Sequence, residues 1–398
     1  MNVSDHRSFS IAVFTSICSL LLACGSESNP DPSPQTEKAD GGSDASLDLA
    51  DLAPPDDAGQ DAGVAACAPY AQAGPFAVGV RTVMMAGVPV EVWYPAPSEA
   101  RDGEPDEYDI RTWLPEGERD KIPDEAPSEF GMDAFRDVDV EPGSYPLVLF
   151  SHGYGGYRLQ SSALNVHVAS WGYVVVSAEH PERGLMKIMS GDLNIMDRSA
   201  ETLLELIEFL PEESWIAPHL RADSIAATGH SASGGAALGV RDDPRIDAVI
   251  TYGTSSLGST SISKPSLFIG GTKDRLAGPN QLKSNFEAFP APKRMTLIEG
   301  AGHLAFSDIC LIGREEGGVL ELASQYGIEV PPVLKILGTD GCKPDDLPAE
   351  EAWPQIHHLT VHHLRETWGD PVEAISEDGL RECFGPLLHA YLNEDTDS

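Results

Sequence analysis

The stretch Ile225-Ala226-Ala227-Thr228-Gly229-His230-Ser231-Ala232-Ser233-Gly234-Gly235-Ala236-Ala237-Leu238-Gly239-Val240 decides what fold this chain adopts. A short apolar run, Ile225 to Thr228, has strand character and passes through a turn of small residues into a small-residue helix, Ala236 to Val240. A serine on such a turn presents its hydroxyl beyond the end of the strand, and its neighbours must be small because strand and helix backbones approach closely there. The amide of Ala232, at the start of the helix, points toward developing negative charge. Ser231 is therefore the candidate nucleophile. Ser233 stands where the pattern Gly-x-Ser-x-Gly has its second glycine. The other registration, Ser231-x-Ser233-x-Gly235, would make Ser233 the nucleophile but place it two residues farther from the strand.

Outward from this turn, short β-rich runs alternate with helical ones. Val88 to Tyr94, Leu147 to Phe150, Val174 to Ser177, Ala248 to Tyr252, Leu267 to Ile269 and Met295 to Ile298 all have strand character. Most are continuously apolar, as in parallel strands covered on both faces. Ser161 to Trp171 ends at Gly172, and Arg198 to Leu210 spaces Ala200, Leu203, Leu204, Ile207 and Leu210 as one face of a helix. The expected class is α/β, a doubly wound, mostly parallel sheet with helices on both faces and its site at the carboxyl ends of the strands. Two irregular stretches, Pro95 to Pro146 and Leu311 to Glu351, either roof that site or cover surface elsewhere.

A serine nucleophile needs a base, an orienting acid and donors for the oxyanion. Gly300-Ala301-Gly302-His303-Leu304 follows the last apolar strand, which makes His303 the candidate base. Asp274, in the loop after Leu267 to Ile269, is the candidate acid, and the order Ser231, Asp274, His303 is the one expected for a strand-turn-helix serine. Asp247 precedes its strand and Asp308 follows the histidine, so both are expected to be surface or loop-anchoring charges. A second oxyanion amide is expected from Tyr154, within the glycine-rich loop Ser151-His152-Gly153-Tyr154-Gly155-Gly156. His230 is expected to pack beneath the turn and His152 to anchor that loop. His357, His358, His362 and His363 form a cluster in which His358 and His362 share a helix face. No acidic residue falls between them as a zinc peptidase would require, so a polar helix face is expected and no metal.

With these residues in place, the domain resembles the bacterial cutinase-like and polyester-hydrolase group of α/β-hydrolases and the neighbouring platelet-activating-factor acetylhydrolase-like esterases. The resemblance runs roughly from Gly79 to His303. It is carried by Val80-Arg81, Glu91-Val92-Trp93-Tyr94-Pro95, Ser151-His152-Gly153, Gly229-His230-Ser231, Asp274 and His303. Some acetylhydrolase relatives take their acid from the preceding strand end, which here reads Thr251-Tyr252-Gly253 and contains no carboxylate. The resemblance implies carboxylic-ester substrates, small-molecule or lipid, and no cofactor. Two other readings use the same scaffold: a serine peptidase with the same triad, and a catalytically silent surface lipoprotein that binds a ligand.

At the N-terminus, Arg7 precedes a 15-residue apolar stretch, Phe9 to Ala23, too short for the roughly 20 residues of a spanning helix. It reads as a signal peptide over residues 1–23, and Leu21-Leu22-Ala23-Cys24 resembles the lipobox of bacterial lipoproteins, in which the cysteine is acylated. Residues 24–66 read as a flexible acidic tether, with ten acidic residues against one basic, too polar to bury a core. The expectation is export and lipid anchoring to the bacterial cell envelope, with residues 67–398 as one hydrolase domain. Of the formal charge of −37, −28 lies on residues 67–398, which argues against nucleic acid and anionic membranes as partners. Four cysteines remain after Cys18 and Cys24, and in an exported domain they suggest two disulfides. Of three possible pairings, Cys310 with Cys342 closes a local excursion and Cys67 with Cys383 ties the two ends of the domain.

Overall fold

The continuously apolar runs form the centre of one sheet. The computed structural model describes residues 67–192, 194–255 and 263–395; the expected signal peptide, Cys24 and tether lie outside the described residues. Twelve strands are described: β1 (Ala77–Met85), β2 (Val88–Ala96), β3 (Glu107–Asp109), β4 (Glu129–Gly131), β5 (Phe135–Arg136), β6 (Tyr145–Ser151), β7 (Val174–Ala178), β8 (Leu220–His230), β9 (Ala248–Tyr252), β10 (Ser266–Gly271), β11 (Lys293–Ile298) and β12 (Leu388–Glu394). Ten form a sheet in the order β12-β11-β10-β9-β8-β6-β7-β2-β1-β5, and β3 pairs separately with β4. From β7 to β11 every pairing is parallel. The strands β6, β7, β9, β10 and β11 are buried along their whole length, which accounts for their unbroken apolar sequences.

Successive side chains of each strand enter opposite layers. Val148, Phe150, Val175 and Ile250 join one core with Leu164 of α1 (Ser162–Ser170) and Ile356 and Leu359 of α8 (Ala349–Thr367). Leu147, Leu149, Val176 and Val249 join the other with Leu203 and Leu206 of α3 (Ser199–Phe209), Ala237 of α4 (Ala232–Val240) and Phe286 of α5 (Pro279–Ala288). The short α2 (Leu185–Met189) follows β7. In α3 the expected face is the buried one, with Glu201, Glu205 and Glu208 turned to water. This is the α/β-hydrolase fold.

Three sheet strands lack the apolar runs that mark the others: the two-residue β5, and β1 and β12. In β1, Arg81 and Val83 are half-buried and Thr82 and Met84 exposed, because the strand pairs only with β2 and the two-residue β5. In β12, only Leu388 and Tyr391 are buried and the strand lies antiparallel against β11 at the sheet edge. The irregular stretch 311–351 contains two short helices, α6 (Val319–Gln325) and α7 (Pro332–Leu337). Both expected disulfides are present: Cys310–Cys342 closes this stretch, and Cys67–Cys383 joins the first described residue to α9 (Glu377–Phe384).

The histidine cluster requires a correction. His357, His358, His362 and His363 are all buried on α8, so they do not form a polar face. His357 stacks on His167 with ring centroids 3.8 Å apart, and His358 stacks on Tyr70 at 5.6 Å. Aromatic packing, which tolerates a neutral imidazole, accounts for the burial of His357, His358 and His362. Among the described residues, no group of three or more metal-ligating side chains is gathered in a metal-binding arrangement.

Candidate active site

The turn after β8 brings the candidate nucleophile to the carboxyl edge of the sheet. Ser231 has φ 58° and ψ −124°, a strained backbone for a residue with a Cβ. Its amide donates to Tyr252 O at 2.8 Å, and its carbonyl accepts from the Gly234 amide at 3.0 Å and the Thr254 hydroxyl at 2.7 Å. A Cβ on Gly229 would lie 2.1 Å from Ser233 O, which is why the residue before the turn has no side chain.

His303 Nε2 lies 2.8 Å from Ser231 Oγ, and His303 Nδ1 lies 2.9 Å from Asp274 Oδ2. Asp274 Oδ1 accepts the amides of Leu276 at 2.9 Å and Ala277 at 2.7 Å. Ionised Asp274 accepts from Nδ1–H, which leaves the Nε2 lone pair facing the serine hydroxyl. Burial alone would lower the His303 imidazole, but the Asp274 carboxylate outweighs it and holds the group above its ordinary value. Burial would raise Asp274, whereas His303 and the two amides hold it below the ordinary carboxylate value. A Cβ on Gly253 would lie 3.0 Å from Asp274 Oδ2, so the other strand end considered for the acid borders the pair without supplying a carboxylate.

Ser233 is fully buried and turned away from His303. Its hydroxyl donates to the His152 carbonyl at 2.6 Å and accepts from Ser151 Oγ at 2.8 Å and from Arg183 Nη2. Arg183, also buried, donates to the His152 carbonyl at 2.9 Å, and its own carbonyl accepts the Gly155 amide at 3.0 Å. The serine at the usual glycine position thus links the helix after Ser231 to the loop Ser151–Gly156. Sequence alone gives no sign of this link, because Arg183 is 50 residues from Ser233.

His152 Nδ1 lies 3.0 Å from Gly153 O within this loop, and His230 packs under Ser231 between Gln160 (3.0 Å) and His303 O (2.9 Å). A Cβ on Gly153 would approach Ser231 Cβ to 3.2 Å, so the loop passes directly over the turn. Tyr154 is the next residue of this loop, and Ala232 is the first residue of α4, where an amide has no intrahelical acceptor. Asp308 is the expected anchor but is buried rather than at the surface. It accepts the Ser162 amide (2.7 Å), the Ser162 hydroxyl (2.5 Å) and the Ala163 amide (3.2 Å) at the start of α1.

Ser231 and His303 open into a pocket that both irregular stretches roof: Ile110 and Leu114 come from the first, and Leu322, Leu334 and Leu337 from the second. Among the described residues, no Asp, Glu, Lys or Arg lines it. Such a cavity holds an uncharged apolar group against a serine hydroxyl whose partners suit proton transfer.

Residues 128–216 match the family described as platelet-activating factor acetylhydrolase, isoform II. The chain is 26% identical over 196 residues to cutinase est2 of Thermobifida alba, covering 46% of this chain and 62% of that protein. The same identity relates it to cutinase cut1 of Thermobifida fusca, of which 59% is covered. The chain therefore spans about three-fifths of the length of these curated relatives. A 36-residue stretch is 47% identical to a platelet-activating factor acetylhydrolase of Cavia porcellus, covering 9% of this chain and 8% of that protein. A solved ferulic acid esterase from Streptomyces cinnamoneus superposes with a TM-score of 0.58 at 20% identity, covering 79% of this chain and 96% of that one. That likeness concerns the fold.

Proposed function

We propose that this α/β-hydrolase is an exported carboxylic-ester hydrolase that works through an acyl-enzyme on Ser231. The observation that carries the proposal is the hydrogen-bonded chain Ser231–His303–Asp274 at the floor of an uncharged pocket. The cutinase and acetylhydrolase likenesses support ester bonds as the target.

His303 Nε2 takes the Ser231 proton as Oγ attacks the ester carbonyl, and Asp274 holds the imidazole in the required tautomer and stabilises its cation. The oxyanion is held by the amides of Tyr154 and Ala232. Collapse expels the alcohol, protonated by His303, and leaves the acyl group on Ser231; water activated by His303 then releases the acid. The reaction needs no cofactor.

The test is hydrolysis of p-nitrophenyl esters from acetyl to octanoyl. Each methylene that enters the pocket is worth at most about 0.8 kcal/mol. The expected profile therefore rises up to roughly four-fold per added methylene until the pocket is full. A profile that falls from acetyl onward would remove the acyl chain from this pocket, and cleavage of amides in preference to esters would favour a peptidase.

The two disulfides suit an oxidising, extracytoplasmic compartment. Together with the sequence ending in Cys24, they support export and a lipid anchor to a bacterial membrane. The full chain is expected to fractionate with membranes and to incorporate labelled palmitate, and Cys24→Ser to do neither. Equal labelling of both proteins would rule out acylation at Cys24.

A further inference from the structure

We propose that Asp340, delivered by the roof segment and held there by the Cys310–Cys342 disulfide, is a positioning residue for His303; this rests on the acyl-transfer role given to His303 above. Asp340 lies 37 residues beyond the histidine and is 3% exposed. Its Oδ1 accepts the His303 amide at 3.2 Å, and its Oδ2 accepts the Arg275 amide at 3.0 Å. Its main-chain carbonyl accepts the Leu304 amide at 2.8 Å.

The amides of His303 and Leu304 open the helical turn His303–Phe306, where no carbonyl within the turn can accept them. Asp340 satisfies both. The Arg275 amide belongs to the loop that carries Asp274. One carboxylate therefore fixes the spacing of the two loops, and that spacing sets the 2.9 Å contact between His303 Nδ1 and Asp274.

The roof is fastened at this point rather than draped over it. A Cβ on Gly302 would lie 2.4 Å from Gly341 Cα, so the histidine loop and the roof touch backbone to backbone, and Gly341 itself has φ +105°. Asp346 Oδ2 accepts the Gly341 amide at 3.1 Å, and the Leu347 amide donates to Gly300 O at 2.9 Å. Cys342 is two residues from Asp340, and its disulfide closes the segment at its base. The same segment supplies Leu334 and Leu337 to the pocket, so substrate contacts and the histidine's support share one element.

A negative charge here also favours the imidazolium that forms during the reaction. Burial lowers the His303 imidazole, and Asp274 and then Asp340 raise it. The groups facing Asp340 are His303, Asp274 and the Arg275 guanidinium, whose Nη1 is 3.8 Å from Oδ1; that guanidinium also lies 3.8 Å from Asp346. His230 faces the imidazole from below, with ring centroids 4.8 Å apart, and is held neutral by burial.

The experiment compares Asp340→Asn and Asp340→Ala with wild type in the full chain by three readouts. These are the His303 titration followed by NMR in a Ser231→Ala background, kcat and KM against pH on a p-nitrophenyl ester, and Tm. Asp340→Asn keeps one acceptor oxygen and loses the charge. Its His303 titration and the acid limb of kcat/KM are expected to move down together by roughly half to one pH unit, as when a nearby opposite charge is removed. Asp340→Ala loses both amide contacts and is expected to lower kcat about 100-fold, the scale of a misplacement of about 1 Å, with KM changed less than about three-fold. An unmoved titration with unmoved kcat, whatever happens to Tm, would leave Asp340 a structural residue and overturn the proposal. If the Asp340 variants do not fold, the pair Cys310→Ser and Cys342→Ser tests the same support without altering the carboxylate. It is expected to lower kcat at constant Ser231 content, and an unchanged kcat in the folded protein overturns the proposal. Absence of ester hydrolysis by wild type would remove the acyl-transfer role alone, because the NMR titration needs no turnover.

Discussion

Replacing Ser231 with alanine is expected to lower kcat/KM on an ester substrate by at least about 10⁴-fold, equivalent to roughly 5–6 kcal/mol of transition-state stabilisation. Alanine keeps the Cβ and the backbone at φ 58°, so the strain of the turn persists and the folded state is nearly unaltered. What disappears is the hydroxyl oxygen that lies 2.8 Å from His303 Nε2. Residual activity comes from substrate binding and the oxyanion donors acting on water. The informative control is Ser233→Ala. That change leaves the nucleophile in place but strips a donor from the His152 carbonyl and an acceptor from buried Arg183. The His152 carbonyl and Arg183 Nη2 keep each other as partners, so the loss is that of buried hydrogen bonds, typically about 0.5–1.5 kcal/mol each. Ser233→Ala should therefore lower Tm while losing far less activity than Ser231→Ala. An active Ser231→Ala beside an inactive Ser233→Ala would transfer the nucleophile to Ser233.

Mild acid is expected to unfold the hydrolase domain through its buried histidines. Burial pushes the imidazole of His167 down to about 4 and those of His230, His358 and His363 to about 3. The unfolded chain binds protons at these sites near pH 6.5, and the folded chain does not until far lower pH. Stability from this source is therefore complete above pH 6.5 and lost as the pH falls toward the folded values. Between pH 7 and 5 each of the four gives up roughly 2 kcal/mol. Asp308 works in the opposite sense: burial raises its carboxyl to about 7 against the pull of Ser162 and Ala163, so acid relieves a cost there. His303 and Asp340, also raised, act in the same sense as Asp308, whereas His180, His357 and His362 are lowered like the other four. Seven imidazoles against three raised groups leave a net loss on the order of 5 kcal/mol, comparable with the whole stability of many domains. Urea melts at pH 7.5, 6 and 5 should show the midpoint falling steeply. His363→Leu, which removes one of these buried imidazoles, should flatten the fall. A midpoint constant across this range would mean that these histidines already carry protons or that water reaches them.

Much of the sheet was legible because its signals are local. Seven apolar runs of the sequence correspond to β2 and β6 to β11, and the crossover helices lie where residue spacing puts them. The candidate site was legible for the same reason. Ser231, Asp274 and His303 each follow a strand within a few residues, and strands stacked in parallel bring their carboxyl ends to one edge. The strands β1 and β12 were not legible, since edge positions leave part of each strand in water and dilute the apolar pattern. The histidines of α8 show the limit from the other side: a helix face rich in imidazole reads as polar, and only its packing against His167 and Tyr70 shows that it is interior.

By itself the sequence determined the seven central strands and two of the crossover helices, the turn that carries Ser231, and three candidate side chains at the ends of those strands. Tertiary structure decided which of two neighbouring serines faces His303, that both irregular stretches roof the pocket, and that Asp340 braces the histidine from within one of them. The division has a physical cause. Backbone propensity and periodic burial act over a handful of consecutive residues and are written in their order, whereas the contacts Ser233–Arg183 and His303–Asp340 join residues 50 and 37 apart whose meeting depends on how whole layers close.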